Sequence, residues 1–171
     1  MNMYPALTNM RGFVANQFYN LQTIARRESL WAKLMGKDNR LALFPEQAPE
    51  KTLTRTLAGL QEIPVEKITG TLNRVSDFDQ EFRPLSVNLR DRWVNAYLAF
   101  DQGGWEPVVV HKTGENYYVE DGHHRVSVAR SRGIAFIQAK VWEYAVCTKE
   151  ANKPQVVPCP KRIYANVYAI E

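Results

Sequence analysis

Apolar positions set the order of elements along the chain. Val14, Phe18, Leu21, Ala25, Trp31 and Met35 recur largely at helical steps, which predicts a long helix from Met10 to Met35 with Gly36 as its stop. The stripe fits packing on a core and, in a second copy, a homodimer seam. Pro45 and Pro49 break the chain, and Leu53, Leu57 and Leu60 then predict a short amphipathic helix. "EIPVEKI", Glu62 to Ile68, reads as a strand with Pro64 near its start. Thr69 to Pro84 has no period and reads as a long loop. Leu89, Trp93, Ala96, Tyr97 and Phe100 mark one face of a helix that Gly103-Gly104 ends. "PVVVHK" and "YYVED" are β-rich runs joined by "TGEN", a hairpin signal. A helix from about His123 to Arg132 follows, closed by Gly133. Ile137, Ala139 and Val141 then alternate with Gln138 and Lys140, as in a half-buried strand. The tail from Ala145 is broken by prolines, and "IYANVYAI" is expected to add a last strand.

The expected fold is α+β, a mixed sheet with packed helices. It divides into an N-terminal helical extension (1–60), a central domain (61–143) and a tail packed on that domain (144–171). A chain of 171 residues has room for one core rather than two. The N-terminus lacks the apolar core of a signal peptide, and no window is long and apolar enough for a membrane span, so a soluble cytoplasmic protein is expected. Cys147 and Cys159 fit no common zinc spacing and are expected to be reduced thiols.

Charge changes the picture of possible partners. The net charge is +4, but residues 1–60 carry 8 Lys and Arg against 4 Asp and Glu, and residues 61–143 carry 10 against 12. The basic excess lies in the flanks. A broad nucleic-acid face would make the middle more basic, so the middle is expected to hold a focused anion site.

That site is sought at "YYVEDGHHRVSVARSRG", Tyr117 to Gly133, where a strand runs into a helix. The first turn of a helix leaves backbone N–H groups without internal partners, and with the helix dipole they attract an anion. Asp121 is placed as N-cap, and Gly122 is expected to open the turn to a ligand. His123, His124 and Arg125 follow in the first turn. Arginine grips phosphate oxygens in a fork, and histidine can donate to them and carry a proton. Three readings compete. In the first, Asp121 only caps, the histidines are solvated and Arg125 pairs with an acid. In the second, the histidines hold a metal, but neighbours on a helix point about 100° apart and the chain offers only His111 besides. In the third, the turn captures a phosphate, which accounts for the glycine, the histidines and the arginine together.

The same stretch is similar to the signature of the ParB/sulfiredoxin-like superfamily, in which a strand runs into a G-x-x-R type helix start. "IPVEKI" resembles that family's opening strand and "WEPVVVHKTGENYYVEDGHHR" its central hairpin, so the resemblance covers roughly Ile63 to Glu143. It implies a compact α+β fold and a phosphate-binding helix start. Members include segregation proteins that bind CTP, sulfinic-acid reductases that use ATP and free-serine kinases that use ADP. Gly122, His124 and Arg125 match the G-x-H-R start, and Asp121, Gly122, His123 and Arg125 resemble the D-G-H-x-R version of the kinase branch. Two departures matter. The reductases need a cysteine where His123 stands, so thiol chemistry of their kind is not expected. The segregation proteins carry a helix-turn-helix domain after this module, and the tail here is too short for one.

The expected phosphate or nucleotide site is therefore Asp121, Gly122, His123, His124, Arg125 and Arg74, for ATP, ADP or CTP with Mg²⁺. The loop "NRVSDFDQEFRP" also offers Asp77, Asp79, Glu81 and Arg83. Phosphoryl transfer needs a carboxylate and cations, so His123, His124, Asp79 and Glu81 are the expected catalytic groups. The kinase resemblance adds Glu62, Glu66 or Glu81 as a base. Ser127 is expected at the surface or touching a phosphate. A DNA-binding module or nuclease, with non-specific nucleic acid as partner, and a non-catalytic scaffold are the competing functions.

Overall fold

The computed structural model describes residues 4–45 and 52–147. Three helices and six strands follow one another: α1 (Tyr4–Leu34), β1 (Ala42–Leu43), β2 (Thr52–Pro64), β3 (Ile68–Thr71), α2 (Arg90–Asp101), β4 (Val108–Thr113), β5 (Asn116–Asp121), α3 (His123–Ser131) and β6 (Phe136–Cys147). Single 3₁₀ turns at Val65–Lys67 and Val87–Leu89 lead into β3 and α2. The strands form one mixed sheet in the order β1-β3-β5-β4-β6-β2. β1, β3 and β5 run parallel, as do β4 and β6, while β4–β5 and β2–β6 are antiparallel. The α+β expectation holds. No helix among the described residues is long and apolar enough to cross a membrane.

The core follows from the two periodicities. Val108, Val110, Val119, Ile137, Ala139 and Val141 alternate along β4, β5 and β6 and are buried. They meet Trp93 and Val94 of α2 and Val126, Val128 and Ala129 of α3 in one cluster. Val14 and Phe18 of α1 close that cluster beyond α2, with Phe18 edge-on to Trp93 at 5.8 Å. Trp93 Nε1 donates to Ser127 Oγ at 2.9 Å. Ser127 is thus a buried link between α2 and α3, not a surface position.

Several expectations are corrected here. The helix predicted at Leu53–Leu60 is strand β2, and the expected boundary at residue 60 falls inside it. Alternating Thr52, Thr54 and Thr56 carry the stronger local preference, because β-branched side chains favour extended backbone. The leucines keep a helix-like step because a bulge at Ala58–Gly59, with Gly59 at φ +91°, shifts the side-chain parity midway. The strand predicted over Glu62–Ile68 is interrupted: β2 ends at Pro64 and β3 starts at Ile68. The α1 stripe is buried only as far as Ala25, and Trp31 and Met35 are exposed. Tyr117 and Tyr118 are both buried, Tyr118 against Phe44 at 5.3 Å and the bare backbone of Gly70. The last expected strand, IYANVYAI, lies outside the described residues.

Candidate functional site

β5 delivers the chain to α3 through Gly122, which sits at φ +101° as the residue before the first helical turn. A side chain there is excluded twice. The backbone angle is one that L-residues rarely adopt. A Cβ would also stand 2.5 Å from Val108 Cγ1 and 3.2 Å from Arg125 Nε. Gly122 is therefore required by the protein's own packing, and it also lines the cleft described below.

Asp121 does not cap the helix. Its carboxylate is mostly exposed and pairs with Arg125 Nη2. Arg125 turns back along β4, where Nη1 donates to the carbonyls of Glu106 at 2.6 Å and Pro107 at 3.2 Å. Its guanidinium thus ties the start of α3 to the entry of β4. The amide of Val126 bonds to the Gly122 carbonyl at 3.0 Å and opens the helical ladder. The amides of His123, His124 and Arg125 precede it as the first-turn donors.

His123 is buried and His124 half-buried, and neither ring is solvated as expected. His123 is 3% exposed, and its Nε2 meets Thr71 Oγ1 at 2.7 Å. Thr71 in turn accepts from the Arg74 amide at 3.0 Å, so β3, the following loop and α3 are joined at this point. Phe78 stacks on His123 with centroids 6.1 Å apart and meets His124 edge-on at 5.5 Å. Burial, then the charge of Arg74 and then His124, holds His123 down at about 4. Burial, then Arg74 and Arg92, holds His124 down at about 4. Both imidazoles are neutral near pH 7. His124 differs from His123 in one respect: both of its ring nitrogens are buried and neither has a hydrogen-bond partner. A neutral imidazole has one donor and one acceptor, and leaving them unmet is costly.

A cleft of about 520 Å³ opens beside this turn. It is lined by Asp121–Arg125, by Arg74, by Arg92, Asn95, Ala96 and Ala99 of α2, and by Gly104–Glu106. The structure brings Arg74, Asp121, Gly122, His123, His124 and Arg125 to one cleft. Arg92 is the cation that sequence reasoning missed. Its place on α2, one position before the core residue Trp93, was legible, but nothing in the sequence said that α2 crosses the start of α3.

Asp79 and Glu81 are not brought to this cleft. Asp79 is fully buried and accepts from the amides of Glu81 at 3.0 Å and Arg83 at 2.8 Å, and from Arg83 Nε at 2.8 Å. It knits a tight turn in which Phe82 adopts φ +56°. Burial pushes its carboxyl up against the pull of Arg83. Glu81 pairs with Arg130 at 2.9 Å and borders a larger cleft of about 1300 Å³ under β1. In that cleft both cations are paired, Arg130 with Glu81 and Arg40 with Asp38, and Glu66 adds a further carboxylate. Asp77 pairs with Arg74 at 2.9 Å. Glu62 and Glu66, the other carboxylates raised by the kinase resemblance, are exposed and lie outside the histidine cleft. Among the described residues no group of three or more His, Cys, Asp or Glu is placed to hold a metal ion.

No known protein family's pattern matches the chain, and no curated protein is similar to it. Among solved structures, it is similar to the crystal structure of sulfiredoxin from Arabidopsis thaliana. The identity is 25% over 48% of this chain and 82% of that chain, with a TM-score of 0.36.

Proposed function

We propose that the cleft at the start of α3 binds a phosphorylated ligand, a mononucleotide such as ATP, ADP or CTP, in the manner implied by the ParB/sulfiredoxin-like resemblance of the DGHHR turn. The observation that carries the reading is His124. Its two ring nitrogens lack partners at a helix start, within reach of the positive charges of Arg74 and Arg92. A small rotation of the ring toward the cleft gives one nitrogen a phosphate oxygen. The first-turn amides and the guanidinium of Arg92 meet the remaining oxygens, while Arg74, whose Nη1 holds Asp77, adds positive charge. Arg125 takes a different role from the one its position in the motif suggests: it holds the turn in place.

The cleft volume falls in the usual range for a small-molecule site, about 300–1,000 Å³. Its carboxylates are Glu106 and Asp121, and Asp121 is engaged by Arg125. That donor set fits a Mg²⁺ ion that arrives with the phosphates and keeps most of its water, as this ion prefers. The ion would neutralise phosphate charge there.

The test is a melting titration of the full chain with ATP, ADP, CTP, inorganic phosphate and sulfate, each with and without Mg²⁺. A nucleotide at 100 times its Kd raises stability by about 2.7 kcal/mol. Arg92→Ala, at an exposed position, removes a cation without disturbing the core and abolishes most of that gain. Melting unmoved by every ligand, or an Arg92→Ala/Arg74→Ala double variant stabilised as wild type, rules the reading out. Salt-sensitive retardation of duplex DNA with no nucleotide effect would transfer the site to nucleic-acid phosphates.

A further inference from the structure

β2 is the longest strand of the sheet, 13 residues, and it lies at the sheet's edge. Among the described residues no strand pairs with its outer side. A long unpaired edge presents a row of free N–H and C=O groups, a ready template for another strand. Natural edges are usually blunted by shortness, charge, proline or a bulge, and here a single bulge falls at Ala58. This edge carries Leu57 at 47% and Leu60 at 72% exposure in its middle, and its only proline is the last residue.

The strand is also complementary to itself. Opposite β6, Leu57 pairs with Trp142 and Gly59 with Val141, so the bulge at Ala58 reverses the side-chain alternation halfway along. Arg55, Leu57, Leu60 and Glu62 consequently share the sheet face that carries Trp142, with Arg55 Cζ lying 3.7 Å over the Trp142 ring. Two copies of β2 laid antiparallel about a two-fold axis between Ala58 and Gly59 bring residues whose numbers sum to 117 opposite each other. Leu57 then faces Leu60 of the partner subunit, and Arg55 faces Glu62 of the partner subunit. Each contact occurs twice, as a two-fold interface requires. Both of these pairs join residues of the same face, which a slip by one residue would destroy. Directly opposed pairs stand about 5 Å apart, close enough for leucine contact and for an ion pair.

We propose that β2 is the seam of a homodimer, joining two sheets edge to edge in this register. A second exposed apolar stretch, Leu30, Trp31 and Leu34 of α1, suits a second copy less well. It is flanked by Arg26, Arg27, Lys33 and Lys37 with Glu28 as the local acid, so two copies would set like charges together.

Sedimentation equilibrium of the full chain from about 1 to 100 µM tests this, since a dimer's population depends on protomer concentration. Wild type is expected to be dimeric. Glu62→Arg and Arg55→Glu each set like charges opposite one another and weaken the dimer by about tenfold or more. The double variant Arg55→Glu/Glu62→Arg restores the pairing and the dimer. A monomeric wild type overturns the proposal and leaves the edge to another occupant, such as residues 148–171. Single reversals without effect, or a double variant as weak as the singles, overturn it as well. Circular dichroism of each variant separates dissociation from unfolding.

Discussion

Gly122→Ala tests the physical account of the helix start. Two costs arise there and they are separable. The first is in the backbone: φ +101° forces a side chain into a conformation that costs about 1–2 kcal/mol. The second is steric. The new methyl would stand 2.5 Å from Cγ1 and 2.9 Å from Cβ of Val108, which is fully buried. Valine is stiff about its first torsion and its Cβ is fixed to a central strand, so it yields little. Overpacking of this kind costs about 1–3 kcal/mol. The sum is about 2–5 kcal/mol, which in a chain of this length lowers Tm by about 4–20 °C. Urea denaturation followed by circular dichroism measures it. Val108→Ala opens the space, so in that background Gly122→Ala should cost only the backbone share, about 1–2 kcal/mol. Equal cost in both backgrounds would refute the steric half of the argument. A Gly122→Ala variant within about 0.5 kcal/mol of wild type would refute both halves.

Acid unfolding reports the two histidines. Their pKa values of about 4 lie below the unfolded value of 6.5, so the unfolded chain takes up protons first. Their contribution is complete above pH 6.5 and is lost as pH falls toward 4, by a few kcal/mol in all at about 1.36 kcal/mol per unit. Urea midpoints between pH 7 and 5 should fall in wild type and flatten in His123→Gln/His124→Gln; a flat wild-type profile contradicts the burial of these rings. Sulfate, a dianion throughout this range, should raise both pKa values and bind more tightly as pH falls, which calorimetry would register as proton uptake. Ser127→Ala leaves the buried Trp93 indole N–H without its acceptor and should cost about 1–3 kcal/mol in the same assay. Asp79→Ala strips the Glu81 and Arg83 amides and the Arg83 guanidinium of their acceptor and should cost about 3–5 kcal/mol, whereas Asp79→Asn keeps an acceptor oxygen and costs less.

Where a side-chain period and a turn signal agreed, the sequence was enough. The hairpin of β4 and β5, the helix α2 with Trp93 on its inner face, and the strand with Ile137, Ala139 and Val141 inward all appear as read. β2 was misread because its bulge shifts parity, and a broken period of two can pass for a period near four over three leucines. The site was legible as a set of residues but not as a set of roles. Arg125 and Asp121 occupy the motif positions expected to grip a ligand, yet they bond to each other, and Arg125 also to the entry of β4. Asp79 looked like catalytic chemistry because local sequence shows charge but not burial. Arg92 was missed because the crossing of α2 over the start of α3 is a tertiary fact with no local signal.

Gly70 lets the Tyr118 ring lie flat on bare backbone: a Cβ at that position would stand 2.5 Å from Cδ1 of the ring and 2.2 Å from the Ala42 carbonyl. Positions 70 and 118 therefore cannot drift independently through descent. A lineage that gains a methyl at 70 must first shrink the phenol at 118 and must still move the carbonyl of 42, which no side-chain replacement can do. Position 70 should stay glycine for as long as β1 remains joined to the sheet, and the paired change should appear only where that two-residue strand has been lost.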